Sequence, residues 1–267
     1  MSETASDPPI QEGRQRWLTP GTAGIGGPSL LADVGHEIPT SLLPSLPTST
    51  LGAPASTLGF IEGVSDALAG AAKLGGGALA DDPHRRRRVA IGGYSATAIL
   101  SSLIGVTNAV WQVAILRAGA WTARGLRVPA RNALLADIVP ADVYGRAYGF
   151  ERTMDNLGAV LGPLIGIALV ALAGVRGAIV LSVIPGLLAA LAILYAIRRT
   201  RRPEPRPHQP IRINIRGVLQ GKLRPLMLGI GAFEIGNLAA TLLILRATEL
   251  LTPGHGKTSA VPLNAYR

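Results

Sequence analysis

Long apolar stretches, separated by short gaps whose arginine content alternates between none and several, limit this chain more than any other feature. A helix crossing the hydrocarbon core of a bilayer needs about 20 mostly apolar residues. Residues 89–116, 157–197 and 225–245 meet that requirement on hydropathy alone. The second of these suits two helices broken near Gly174-Val175-Arg176-Gly177. Two further stretches carry charge. Residues 28–51 hold Asp33, His36, Glu37 and four prolines, and residues 56–80 hold Glu62, Asp66 and Lys73. The pattern predicts helices at about 28–51, 56–80, 88–106, 109–126, 142–172, 175–197 and 225–247. The gaps between them then alternate. Residues 52–55 and 107–108 have no Lys or Arg, whereas 81–88 holds Arg85 to Arg88. The stretch 124–152 has Arg124, Arg127, Arg131, Arg146 and Arg152, the gap near 174 only Arg176, and 198–224 nine basic residues. By the positive-inside rule this places the N-terminus and the basic gaps in the cytoplasm.

Composition supports the same reading. Hydrophobic residues make up 48% of the chain and charged residues 16%, against about a quarter in soluble domains. The net charge of +10 has two common meanings, nucleic acid or membrane surface. Aromatics are only 4% and the arginines sit in clumps between apolar runs, so nucleic-acid binding is not expected. Absence of cysteine excludes disulfides and thiolate metal sites. Residues 1–19 are polar and do not read as a secretory signal, so insertion is expected to use the first hydrophobic helix. The expected organisation is a cytoplasmic tail at 1–24, a six-helix bundle at 25–197, a proline- and arginine-rich cytoplasmic linker at 198–224, a seventh helix at 225–247 and a tail at 248–267.

Three segments carry more specific chemistry. Gly77-Ala-Leu-Ala-Asp81-Asp-Pro-His-Arg85-Arg86 lies between the second and third spans. Its glycine permits close helix approach, its aspartate can cap a helix and meet arginines, and its basic run holds the loop at the surface. Gly158-Ala-Val-Leu-Gly162-Pro163-Leu-Ile-Gly166 lies in the fifth span, where the glycines give close contact and the proline bends the helix. The stretch 117–137 contains Arg117, Arg124-Gly-Leu-Arg127 and Pro129-Ala-Arg131.

These segments resemble the loop signature, the GxxxGPxxG signature and the fourth-span region of the major facilitator superfamily. Asp82 and His84 depart from the loop pattern, and Ile167 stands where the second signature ends in glycine. The resemblance covers residues 25–247. It implies an all-α membrane fold, with a six-helix N-terminal bundle of two inverted three-helix repeats and a seventh transmembrane helix beyond. It also implies a secondary transporter of a small solute in the inner membrane, working by proton-coupled antiport or efflux. It assigns Arg117 to the place of a membrane-embedded arginine linked to proton coupling. The family has twelve helices, so the chain is expected to be truncated, with a non-transporting membrane remnant or helix-packing protein as the alternative.

Charges inside a span cost roughly 2.5–3.5 kcal/mol each on insertion scales and are therefore functional candidates. Asp33 and Glu37 are four residues apart and share a helix face, flanked by His36. Glu62 and Asp66 do the same in the second span, and Glu234 and Asn237 lie three apart in the seventh. With Arg117 these residues form the candidate substrate and proton pathway. Glu151, Arg152 and Asp155 stand at the start of the fifth span. No other chemistry is indicated. Gly256-Lys257-Thr258 lacks its leading glycine at Leu251, Gly24-Ile-Gly26 lacks its third at Ser29, and the histidines have no metal spacing. No enzyme activity, cofactor or metal is expected. The expected partners are the lipid bilayer, a small solute, protons and a second copy of the chain.

Overall fold

The computed structural model describes residues 20–199, 224–236 and 240–251, which are helical throughout apart from short turns. Six helices come first: α1 (Pro20–Leu42), α2 (Ala55–Ala80), α3 (Pro83–Leu103), α4 (Val110–Ile138), α5 (Tyr144–Leu181) and α6 (Val183–Arg199). A π-helical turn, Leu46–Thr50, follows α1, and 3-10 turns at Ile104–Val106 and Ala141–Val143 join α3 to α4 and α4 to α5. Two shorter helices follow, α7 (Arg224–Gly236) and α8 (Ala240–Leu251). Within the proposed seventh span at 225–247 the described residues, 225–236 and 240–247, are helical. The 198–224 linker, Asn237 and both chain tails lie almost entirely outside the described residues.

Local chemistry sets the helix ends. Proline opens α1 and α3, where its missing N–H costs nothing. The Gln112 side chain accepts from the backbone N–H groups of Asn108 (2.9 Å) and Ala109 (3.2 Å), closing the start of α4. Gly174 has φ +69° and ψ 175° and breaks α5 in a conformation that glycine adopts without strain. Ile138 is the last residue of α4, twelve residues beyond the end predicted from sequence. Arg127 and Arg131 are consequently helix residues that are each 2% exposed, not loop residues. They leave the count of cytoplasmic arginines.

Packing follows a simple pattern. Helix α1 lies against α5 and α6, α4 lies against α2 and α3, and α3 meets α6. Glycines allow the closest contacts. A Cβ on Gly158 would lie 2.6 Å from the Leu30 carbonyl oxygen, and one on Gly162 would lie 2.5 Å from Glu37 Cβ. Gly166 is looser, at 3.7 Å from Ser41 Oγ. Between α2 and α4, a Cβ on Gly76 would lie 2.6 Å from the Leu126 carbonyl oxygen, and one on Gly125 would lie 2.5 Å from that of Ala69. Gly76, not Gly77, makes the close approach expected of the loop motif, because Gly77 faces open space.

The surface is apolar and the interior holds charge. Phe60, Trp111, Val160, Leu172 and Leu191 are more than 60% exposed, whereas Arg117, Glu62 and Glu151 are at most 3% exposed. Two stretches are long and apolar enough to cross a membrane, Arg85–Val106 and Ala141–Arg198. The latter holds two passes separated at Gly174. Helices α1, α2 and α4 do not meet that criterion among the described residues.

We expect Gly162→Leu to lower thermal stability in detergent by about 1–3 kcal/mol, the usual cost of overpacking. The new side chain would have to push α1 off α5 at Glu37. A variant melting like the parent protein would show that this contact yields freely.

Candidate functional site

Four arginines of α4, at positions 117, 124, 127 and 131, lie toward one side of the helix over fourteen residues, about 21 Å along its axis. The side of α1 that meets them carries Ser29, Asp33, His36 and Thr40 at near-helical spacing. The helices run antiparallel, so the rungs form in reverse order, from Ser29 with Arg131 to Thr40 with Arg117.

At one end, Arg117 donates through Nε to Glu62 Oε1 and through Nη2 to Glu62 Oε2, both at 3.0 Å. This two-pronged pairing fixes both planes and is the strongest form of side-chain ion pair. Arg117 Nη1 also donates to Thr40 Oγ1 at 3.1 Å. Its guanidinium carbon sits 3.3 Å from the Trp121 ring centroid, and the Trp121 indole N–H donates to Asp66 at 2.7 Å. The His36 ring meets Trp121 edge-on at 4.5 Å and shares a hydrogen bond of 3.1 Å between Nδ1 and Thr40 Oγ1.

In the middle, His36 Nε2 contacts Arg124 Nη1 and lies 3.5 Å from Glu37 Oε1. Asp33 Oδ1 stands 3.5 Å from Arg124 Nη2 and 4.0 Å from Arg127 Nη2. Arg124 and Glu37 are the partly open members, their side chains 30% and 23% exposed. The structure thus brings together Asp33, His36, Glu37, Glu62, Asp66 and Arg117 of the sequence candidates. Glu234 lies on α7, and no side-chain contact of it is described.

At the other end, Arg131 pairs with Glu151 at 2.7 Å and Asp155 at 3.0 Å and donates to Ser29 at 3.1 Å. Ser29 in turn donates to Glu151 at 3.0 Å, and Arg152 reaches Asp155 at 3.0 Å. Glu151 and Asp155 are buried, not interfacial as their place at the start of a span implies. Sequence reading missed the roles of Arg124, Arg127 and Arg131. Their offsets of 7, 10 and 14 residues from Arg117, which keep all four toward one side of a helix, were the available signal.

The loop motif acts as a staple. Arg86 donates to the carbonyls of Ala80 (2.7 Å) and Asp81 (3.4 Å) at the end of α2, and pairs with Asp137 of α4 at 2.6 Å. Arg85 pairs at 3.3 Å with Asp82, whose carboxylate also accepts the Arg85 backbone N–H at the start of α3. Asp82 therefore takes the capping role expected of Asp81, which is exposed. No cluster of His, Cys, Asp and Glu suited to a metal occurs among the described residues.

Residues 29–254 match the family described as Major Facilitator Superfamily. The chain belongs to the major facilitator superfamily. A superfamily protein of this kind is a multi-pass membrane protein, which accounts for the apolar exterior and charged interior. An uncharacterized protein of Mycobacterium tuberculosis is 32% identical over 67% of this chain and 44% of its own length. An uncharacterized MFS-type transporter of Methanocaldococcus jannaschii is 24% identical over 85% of this chain and 56% of its own. The Multidrug resistance protein MdtG of Dickeya zeae is 30% identical over 66% of this chain and 41% of its own. The chain spans about half the length of the curated relatives it matches.

Proposed function

We propose that this superfamily chain forms a six-helix bundle of two inverted three-helix repeats and carries the solute and proton pathway of a secondary transporter. One observation carries the reading. Ten ionisable side chains from α1, α2, α4 and α5 are joined in pairs along the interior of an otherwise apolar bundle. Ionisable groups at membrane depth are expensive and are characteristic of ion or substrate pathways. The packing supports the repeat: exchanging α1, α5 and α6 with α4, α2 and α3 leaves the pattern of neighbours unchanged. The names of the relatives from Methanocaldococcus jannaschii and Dickeya zeae, an MFS-type transporter and a multidrug resistance protein, support transport.

The pathway opens at Glu37 and Arg124, which are partly open, with Trp121 behind them as an aromatic surface for solute. Asp33, Glu37, Glu62 and Asp66 supply four negative charges against the three of Arg117, Arg124 and Arg127. One proton balances the cluster. Glu62 is engaged by the two prongs of Arg117, and Asp66 accepts the Trp121 indole N–H. Glu37 is partly open and has His36 as its ion-pair partner within 4.0 Å among the described residues, so we assign it the proton. The N-terminus, the turn at Arg85 to Arg88 and the arginine-rich 198–224 segment face the cytoplasm of the inner membrane.

Reconstituted vesicles test the assignment. A proton gradient should drive solute flux above that of empty vesicles. Glu37→Gln should abolish gradient-driven flux while sparing downhill exchange and the melting temperature. No flux for a broad panel of amphipathic solutes overturns the transporter reading. Undiminished gradient-driven flux in Glu37→Gln overturns the proton assignment alone.

A further inference from the structure

Behind the arginine ladder, away from Glu37, a cavity of about 10 Å³ lies between α1, α3, α4 and α6. Ala32, Gly35, His36, Tyr94, Thr97, Ala98, Arg127 and Gly186 line it, and all eight are buried. Four of the eight have polar side chains, unusual for a pocket at the centre of apolar helices. Two hold atoms with unmet hydrogen-bonding capacity: the Tyr94 hydroxyl and Arg127 Nε, on residues 1% and 2% exposed. The Arg127 guanidinium stacks on the Tyr94 ring at 4.2 Å, which fixes both groups at the cavity wall.

We infer that this cavity is a binding site for one internal water molecule, held by Arg127, Tyr94 and Thr97. The space equals about one water on the usual scale of 10–15 Å³, and two to four polar partners are required to hold one. Arg127 Nε can only donate, so the water accepts from it. The Tyr94 hydroxyl both donates and accepts. Thr97 Oγ1 already donates to the Gly93 carbonyl at 2.7 Å and keeps a lone pair that accepts. His36 adds no partner, because Nδ1 faces Thr40 and Nε2 faces Arg124. The three partners thus complement the water's donors and acceptors. An unmet buried donor costs about 1–3 kcal/mol, so binding relieves more than one such cost. The site makes Tyr94 a positioning residue. Through ring and water it holds Arg127 at 4.0 Å from Asp33, a looser separation than the 3.0 Å of Arg117 and Glu62.

Pulsed X-ray footprinting of the whole protein in oxygen-18 water tests this directly. A water radiolysed in place oxidises its immediate neighbours even when they are buried. Tyr94 should be oxidised, and should take up heavy oxygen only after a delay from mixing. Trp111, 63% exposed, should take it up at once. No oxidation of Tyr94 overturns the site, and uptake as fast as at Trp111 shows a channel open to bulk and overturns it equally. High-resolution diffraction adds a second reading: one isolated density peak shared by Arg127 Nε and the Tyr94 hydroxyl is expected, and flat density there overturns the inference.

Discussion

Glu62→Leu should destabilise the folded bundle by about 3–5 kcal/mol, the usual cost of removing one partner of a buried ion pair. Arg117 would remain 1% exposed with only Thr40 and the Trp121 face to receive its charge. The protein should then be lost from the monodisperse fraction in detergent. The double variant Glu62→Leu/Arg117→Met tests the cause. Replacing a whole buried pair by apolar groups of similar volume is commonly neutral or stabilising. The double variant should therefore recover the melting temperature while losing gradient-driven flux. A double variant as unstable as the single one would mean that Glu62 acts through packing and not through charge.

Arg131→Leu should have an effect of similar size at the other end of the ladder. Asp155 would keep Arg152, whose exposed side chain can follow it. Glu151 would keep only the Ser29 hydroxyl, at 3.0 Å and with 2% exposure. A carboxylate left in that state destabilises by about 3–5 kcal/mol. Arg131→Lys should fall between the two. A lysine brings charge but not the fork that serves Glu151, Asp155 and Ser29 together. Melting curves of the three proteins in one detergent give the order. Equal melting of parent and Arg131→Leu would show that the triad contributes nothing to stability.

The same charges explain what the sequence concealed. Residues 89–116 and 157–197 are legible as membrane segments because their apolar character is nearly uniform. Helix α4 is not. Counting arginines as surface markers placed Arg127 and Arg131 beyond the predicted helix end at 126. The helix continues through Pro129 because α2 and α3 on its flanks and the acids of α1 and α5 compensate both proline and charge. The glycine spacing at 158, 162 and 166 was legible as a close-contact face, but its partner was not. Asp33 and Glu37 stand against that face, a pairing across more than a hundred residues that no local pattern records. Within the loop motif, register was misjudged by one residue twice, with Gly76 for Gly77 and Asp82 for Asp81. Side-chain direction on a helix changes by 100° per residue, so such a slip exchanges an inner face for an outer one.

The break at Gly174 has a mechanical consequence. The chain reverses there over one residue, and Arg176 ties the bend to the carbonyls of Gly105 (3.2 Å) and Thr107 (2.5 Å) in the turn after α3. Such a hairpin has no slack. The last two spans cannot slide past each other, so a tilt imposed on one is transmitted to the other and, through Arg176, to the far end of α3. Any tilt between these two arms must travel as leverage, with its fulcrum at the Gly174 turn and its stroke at the opposite end.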